Sequence, residues 1–156
     1  MPGMKNLLIV WHSQTGHNQA LAQAAAQGVA EFADEVTLQM TRALDATLDD
    51  LLGCQALLLV TPENFGYMSG AMKDFMDRTY YPAQGKTLGL PYAVIIGCDN
   101  DGSGAVRAIE RIASGYGWNR IAEPLINKGS KPTPEAVSRA RELGQTLAAG
   151  VSMGLF

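Results

Sequence analysis

Cys54-Gln55-Ala56-Leu57-Leu58-Leu59-Val60-Thr61 is an apolar run that is set between Gly53 and Pro62. A strand with one wet face alternates apolar and polar residues, whereas a strand covered on both faces is apolar throughout. This stretch is of the second kind. Two others share it: Lys5–Trp11, with Leu7-Leu8-Ile9-Val10 at its centre, and Pro91–Cys98, with Tyr92-Ala93-Val94-Ile95-Ile96. Weaker strands are expected at Glu35–Met40 and Arg120–Ile126. The segments between them change to a helical period. His17–Phe32 places Leu21, Ala25, Val29 and Phe32 on one stripe, and Gln19, Gln23 and Gln27 turn away from it. Gly28 lies beside that stripe and is expected to let helix and sheet approach closely. Further helices are expected at Thr47–Gly53, Ser69–Tyr80, Ser103–Tyr116 and Pro134–Ala149. Met72, Phe75 and Met76 form an apolar stripe read as core. Strand and helix alternate throughout, which predicts an α/β fold with a doubly wound, five-stranded parallel sheet and helices on both faces.

Composition bounds the function. The chain has 156 residues, the size of one domain, and 47% of them are hydrophobic against 17% charged. One domain spanning residues 1–156 is therefore expected. A net charge of -3 gives no electrostatic case for nucleic acid or an anionic membrane surface. No apolar run approaches the ~18 residues of a membrane span. Met1–His12 reads as a strand rather than a signal peptide. Two cysteines are too few for a disulfide framework or a zinc site, and they fall at opposite ends of their strands. A cytoplasmic location is the default expectation.

In such a sheet, ligands gather at the carboxyl ends of the strands. Three loops of unusual composition leave those ends. The first, His12-Ser13-Gln14-Thr15-Gly16-His17-Asn18, carries hydroxyls and an amide immediately before a helix N-terminus, which suits a phosphate. It contains no Lys or Arg, so neutral donors would do the holding. The second loop is Thr61-Pro62-Glu63-Asn64-Phe65-Gly66-Tyr67-Met68-Ser69-Gly70, and the third is Cys98-Asp99-Asn100-Asp101-Gly102-Ser103-Gly104. Glu63 is expected to line the site without a catalytic role, and Asp99 and Asp101 to cap the following helix. The common nucleotide fingerprints are missing. No Gly-x-x-x-x-Gly-Lys-Ser/Thr occurs, the first turn lacks Gly-x-Gly-x-x-Gly, and no serine sits in a Gly-x-Ser-x-Gly elbow. Thr61-Pro62 stands where a response-regulator receiver needs its phosphoacceptor Asp.

Ser13-Gln14-Thr15-Gly16-His17-Asn18 resembles the flavodoxin phosphate loop, Ser/Thr-x-Thr-Gly-x-Thr, with Asn18 replacing the last Thr. Thr61-Pro62-Glu63-Asn64 is similar to the Thr-Pro-Glu-Tyr-Asn opening of NAD(P)H-dependent FMN reductases, without the Tyr. Phe65-Gly66-Tyr67-Met68-Ser69-Gly70-Ala71-Met72-Lys73 resembles the Phe-Gly-Asn-Met-Ser-Gly-x-Met-Lys stretch of WrbA-like quinone reductases. The resemblance implies a flavodoxin-like sheet of order 2-1-3-4-5 that binds FMN. Ser13, Gln14, Thr15, Gly16, His17 and Asn18 would surround the phosphate. Pro62, Glu63, Asn64, Phe65, Gly66 and Tyr67 would run along the edge of the flavin ring. Asp99, Asn100, Gly102 and Gly104 would face the ring from the other side. Phe65 and Tyr67 would offer aromatic contact, or else anchor their loop to the core.

Two functions follow from the resemblance. One is an FMN-dependent oxidoreductase that takes hydride from NAD(P)H and passes electrons to a quinone, a flavin or a similar small acceptor. The other is a short flavodoxin that carries single electrons between protein partners. Carriers are typically strongly acidic for steering, and a charge of -3 is weak for that task. The short chain also leaves room for a pocket completed across a homodimer, with the apolar tail Gly150–Phe156 as candidate contact.

Overall fold

The computed structural model describes residues 4–156; Met1, Pro2 and Gly3, which open the Met1–His12 segment, lie outside the described residues. The elements run β1 (Lys5–Trp11), α1 (His17–Ala30), β2 (Val36–Arg42), α2 (Leu48–Leu52), β3 (Ala56–Asn64), β4 (Tyr67–Met68) and α3 (Gly70–Ala83). They continue with β5 (Pro91–Cys98), α4 (Ser103–Tyr116), β6 (Asn119–Arg120), β7 (Leu125–Lys128) and α5 (Pro134–Met153). The sheet path is β2-β1-β3-β5-β6, parallel throughout, with β7 also parallel to β5 and β4 antiparallel to β3.

The continuous apolar runs produce two core layers, because successive side chains of a strand point to opposite faces. Leu8, Val10, Leu57, Leu59, Val94 and Ile96 face one way, onto Met72, Phe75 and Met76 of α3 and Ile109 of α4. Leu7, Ile9, Leu58, Val60, Ala93 and Ile95 face the other way, onto Leu21 and Val29 of α1 and Leu143 and Leu147 of α5. The Met72/Phe75/Met76 stripe is therefore core, as expected. No helix among the described residues is long and apolar enough to cross a membrane.

Apart from small shifts at the ends of α1, β2 and α5, four details differ from the sequence reading. The expected order 2-1-3-4-5 holds for the main strands, but the fifth is split into β6 and β7. Ile121 still donates its N–H to Tyr92, whereas Pro124 has none to give, and pairing resumes only at Leu125. β3 runs on past Thr61 to Asn64, where it pairs with β4 as a hairpin. α3 continues through Pro82 to Ala83, past the expected end at Tyr80.

Gly28 is the fourth correction. It brings α1 against α5, not against the sheet: a Cβ there would stand 2.0 Å from the carbonyl oxygen of Arg141. Gly144 on α5 repeats the contact in reverse, 2.0 Å from the carbonyl oxygen of Ala25. The two helices therefore cross backbone to backbone. Gly144→Ala should force them apart and lower stability by roughly 1–3 kcal/mol, the usual range for overpacking. The measurement is a urea unfolding midpoint, and a midpoint equal to the parent's would count against the close crossing.

Candidate functional site

The first loop leads from the buried end of β1 into α1. Gly16 takes φ 94, a left-handed conformation that suits glycine, and serves as the N-cap. The hydroxyl of Ser13 accepts the Gly16 N–H at 3.0 Å, which closes the loop on itself. No side chain caps α1 and no acidic residue lies in its first turn, so its leading N–H groups and positive dipole end are left for something else.

Behind this opening lies a buried polar pair. Asn18 spans from α1 to the end of β5, giving its Nδ2 to the Gly97 carbonyl at 3.1 Å and accepting the Gly97 N–H at 2.8 Å. The Asn18 side chain is thus spent inside the protein. His17, 8% exposed, lies alongside, and its Nε2 has no hydrogen-bond partner. An unpaired buried polar atom costs about 1–3 kcal/mol, so an orphan of this kind marks a place built for a partner. Gly97 makes room for both residues: a Cβ there would stand 2.8 Å from Asn18 Oδ1 and 2.9 Å from His17 Nε2. Burial, then the Arg42 charge, holds the His12 imidazole below its usual range, which disfavours a positive charge beside the first loop.

The second loop is a tight hairpin. Asn64 pairs with Tyr67, leaving the two residues Phe65 and Gly66 as the turn, at φ 52 and φ 75. Positive φ at both positions is the mirror-image turn that matches the twist of a hairpin, and it favours Asn-Gly. Phenylalanine at the first position is strained, and Phe65 is the one non-glycine residue with positive φ among the described residues. The residue is 106% exposed, so the core-anchoring role does not hold for Phe65. Strain retained at an exposed aromatic points to use rather than packing.

Glu63 has a role that the sequence did not disclose. Its carboxylate accepts the N–H groups of Gly102 at 3.3 Å, Gly104 at 2.9 Å and Ala105 at 3.1 Å. It caps α4 from another strand and ties the second loop to the third. Gly104 packs on the hairpin so tightly that a Cβ there would stand 2.0 Å from the Gly66 carbonyl oxygen. Asp101 caps α4 locally, accepting the Ser103 N–H at 3.0 Å; that bond and the Ser103 hydroxyl hold its carboxyl below the usual range. Burial and neighbouring carboxylates, Glu63 foremost among them, raise the Cys98 thiol above its ordinary value.

The loops enclose a cleft of about 280 Å³. Gln14, Thr15, His17, Asn18, Pro62, Glu63, Asn64 and Asp99 line it, among the expected residues, together with Gly97, Cys98, Gly129 and Ser130. Outside this lining lie Ser13 and Gly16 of the first loop, Phe65, Gly66 and Tyr67 on the hairpin, and Asn100, Gly102 and Gly104 at the α4 turn. The loop after β7, with Gly129 at φ 124, was missed because the four residues of that strand, Leu125-Ile126-Asn127-Lys128, turn polar just where the strand ends. The tail 150–156 lies at the other end of the sheet, where Phe156 packs on Gly150 in a depression with Lys5, Gln55 and Pro91 at the strand starts. A partner bound there would be far from the cleft.

Phe65→Asn should relieve the turn and raise stability by about 1 kcal/mol, read as a higher urea midpoint. The thiols give a second expectation. Burial pushes Cys54 up to about 12, and Cys98 is also raised. Burial and the raised values both disfavour the thiolate, so a disulfide reagent at pH 8 should label neither at a free thiol's rate until the chain is unfolded. Rapid labelling of the native protein would contradict the burial of Cys54.

Comparison with known proteins adds family and fold. A family described as NADPH-dependent FMN reductase matches residues 32–129, more than half of the chain. An NAD(P)H dehydrogenase (quinone) of Geobacter sulfurreducens is 32% identical over 97 residues, covering 47% of this chain and 48% of that protein. The corresponding protein of Solidesulfovibrio magneticus is 35% identical over 97 residues, with the same coverage. The chain thus spans about half the length of the curated relatives it matches. Among solved structures, an archaeal flavodoxin superposes with a TM-score of 0.80 at 22% identity, over 94% of this chain and 98% of that one. A WrbA-like flavodoxin from Agrobacterium tumefaciens gives 0.75 at 20% identity, over 96% and 98%. At these identities the two structures establish the flavodoxin-like fold alone.

Proposed function

The chain belongs to the NADPH-dependent FMN reductase family, and from that premise we propose that the three-loop cleft holds FMN in an NAD(P)H-dependent oxidoreductase. In this reading residues 1–156 act as one FMN-binding domain. The observation that carries it is the buried, unpartnered His17 Nε2 beside an uncapped helix start, at the cleft wall. The donor set fits a phosphate monoester. The Ser13 and Thr15 hydroxyls, the Gln14 amide and the N–H groups that open α1 are all neutral donors, and helix N-termini are ready anion sites. With its proton on Nε2, His17 adds one more donor from the buried side.

Bound FMN would supply the redox chemistry, taking hydride from NAD(P)H and passing electrons to a quinone, a flavin or a similar small acceptor. The chain's own task is to bind, orient and exclude water. Pro62 to Asn64 present backbone along one wall, and Cys98 and Asp99 present the other. Phe65 and Tyr67 offer aromatic faces at the rim, and Glu63 fixes the spacing of the two walls through its bonds to α4. No acid or base is required of the protein to deliver hydride to a flavin, so no residue is assigned a catalytic role.

The test is a fluorescence titration with FMN, followed by anaerobic NADPH and then NADH while flavin absorbance is followed. Saturable binding and bleaching by a nicotinamide nucleotide are expected. Binding without bleaching by either nucleotide would overturn the reductase reading in favour of the carrier. His17→Ala should weaken FMN roughly tenfold, as expected for loss of a hydrogen bond to a charged group. Phe65→Asn should weaken it as well, in the same protein whose stability rises. Unchanged affinity in both variants would remove the cleft from consideration.

A further inference from the structure

Across the hairpin from the cleft, α3 and α4 enclose a larger groove of about 650 Å³. The hairpin contributes to both cavities: Glu63 and Asn64 to the cleft, Gly66 and Tyr67 to the groove. The groove floor includes Met76 and Ile112. Gly115 clears space for Tyr80, whose hydroxyl would stand 2.5 Å from a Cβ at that position.

The groove's charge is unusual for this chain. Its charged lining residues are Lys73, Asp77, Arg107 and Arg111. Lys73 and Asp77 pair at 2.7 Å and cancel each other. Arg107 and Arg111 lie one turn apart on α4, both exposed, and neither forms an ion pair among the described residues. The carboxylate between them in sequence, Glu110, is taken by Arg120. A protein of net charge -3 thus gathers two uncompensated guanidinium groups on one groove that begins at the rim of its candidate cofactor site.

We propose that this groove takes the adenosine end of NADPH, with Arg107 and Arg111 clamping the 2′-phosphate. The inference rests on reading the neighbouring cleft as the flavin site. Residues four apart on a helix stand about 5–6 Å apart at Cβ, close enough for two guanidinium forks to converge on one dianion. Arginine is the side chain that accommodates a 2′-phosphate in dinucleotide sites, because its planar fork matches phosphate oxygens. Tyr81, 78% exposed at the groove edge, offers a face on which adenine can stack. From Gly104, against the hairpin, to Arg111 is about 10 Å along the helix, a span that an extended dinucleotide covers. NADH would occupy the same groove with the clamp unfilled, so this geometry makes the enzyme selective for NADPH.

The experiment uses the full chain, with and without added FMN, and adenosine 2′,5′-bisphosphate as probe in calorimetry, with adenosine 5′-monophosphate as comparison. The bisphosphate should bind at least tenfold more tightly than the monophosphate. Arg107→Ala and Arg111→Ala should each weaken the bisphosphate roughly tenfold to a hundredfold, the range for losing a charge-assisted hydrogen bond, and leave FMN binding unchanged. Arg139→Ala, which removes a cation from α5 on the opposite face, should change neither. In turnover, the arginine variants should raise KM for NADPH and leave KM for NADH unmoved. No binding of the bisphosphate, equal affinity for the two probes, or an unchanged affinity in both arginine variants would overturn the proposal. Failure of FMN to bind would sink the cleft reading and with it the hydride-donor role of the groove, whereas the bisphosphate titration, read without flavin, decides the arginine clamp by itself.

Discussion

The two hydrogen bonds between the Asn18 side chain and the Gly97 backbone hold the functional end of the molecule in register. Gly97 stands opposite Pro62 in the β3–β5 pair, and proline has no N–H to give that ladder. An amide side chain from the facing helix meets the strand end there, using both a donor and an acceptor. The bonds are buried, where such pairs are strong and their loss is expensive. They fix where α1 begins relative to the strand ends, and with it where the first loop sits. The same glycine leaves the volume in which His17 lies, so the pinned helix and the orphaned imidazole nitrogen share one cause.

The two helices that begin at this end of the sheet are treated differently. Both α1 and α4 start at a left-handed glycine with no side-chain cap from the N-cap residue itself. At α4 the Glu63 carboxylate fills the vacancy from β3, and Asp101 assists. At α1 no side chain among the described residues does so, and the only buried side-chain nitrogen or oxygen without a partner among them lies beside it. Anionic charge is supplied by the chain at one helix, and the proposed cofactor phosphate would supply it at the other. This contrast separates a folding device from a binding device, although both rest on the same dipole and the same unpaired N–H groups.

The sequence was most informative where physics leaves little choice. Ala56-Leu57-Leu58-Leu59-Val60 admits only a strand covered on both sides, and the layers follow from it. Ser103–Tyr116 was placed to the residue. The misses concern which neighbour a residue meets, a fact that periodicity does not carry. Gly28 was legible as a point of close approach, but not that the partner is α5. Asn18 was legible as polar at a phosphate loop, but not that its side chain turns inward to Gly97. Glu63 was placed at the site, yet its bonds reach residues about forty positions away. The split last strand was signalled by Pro124, which a reading of hydrophobicity alone passes over.

Phe65 shows a local rule failing at an exposed turn. Asn-Gly at this turn would satisfy the hairpin, and the chain instead keeps phenylalanine in a left-handed conformation with its ring in solvent. Burial does not explain the choice, because there is none. The hairpin is also the shared wall of the cleft and the α3–α4 groove, so its rigidity sets the distance between the two cavities. Gly104 pressed onto the Gly66 carbonyl and Glu63 bonded to α4 hold the hairpin against the third loop. A turn braced in this way can carry a strained residue, because the surrounding contacts leave it no relaxed alternative. Stability is given up at one exposed position, on the turn between the residues that line the two cavities.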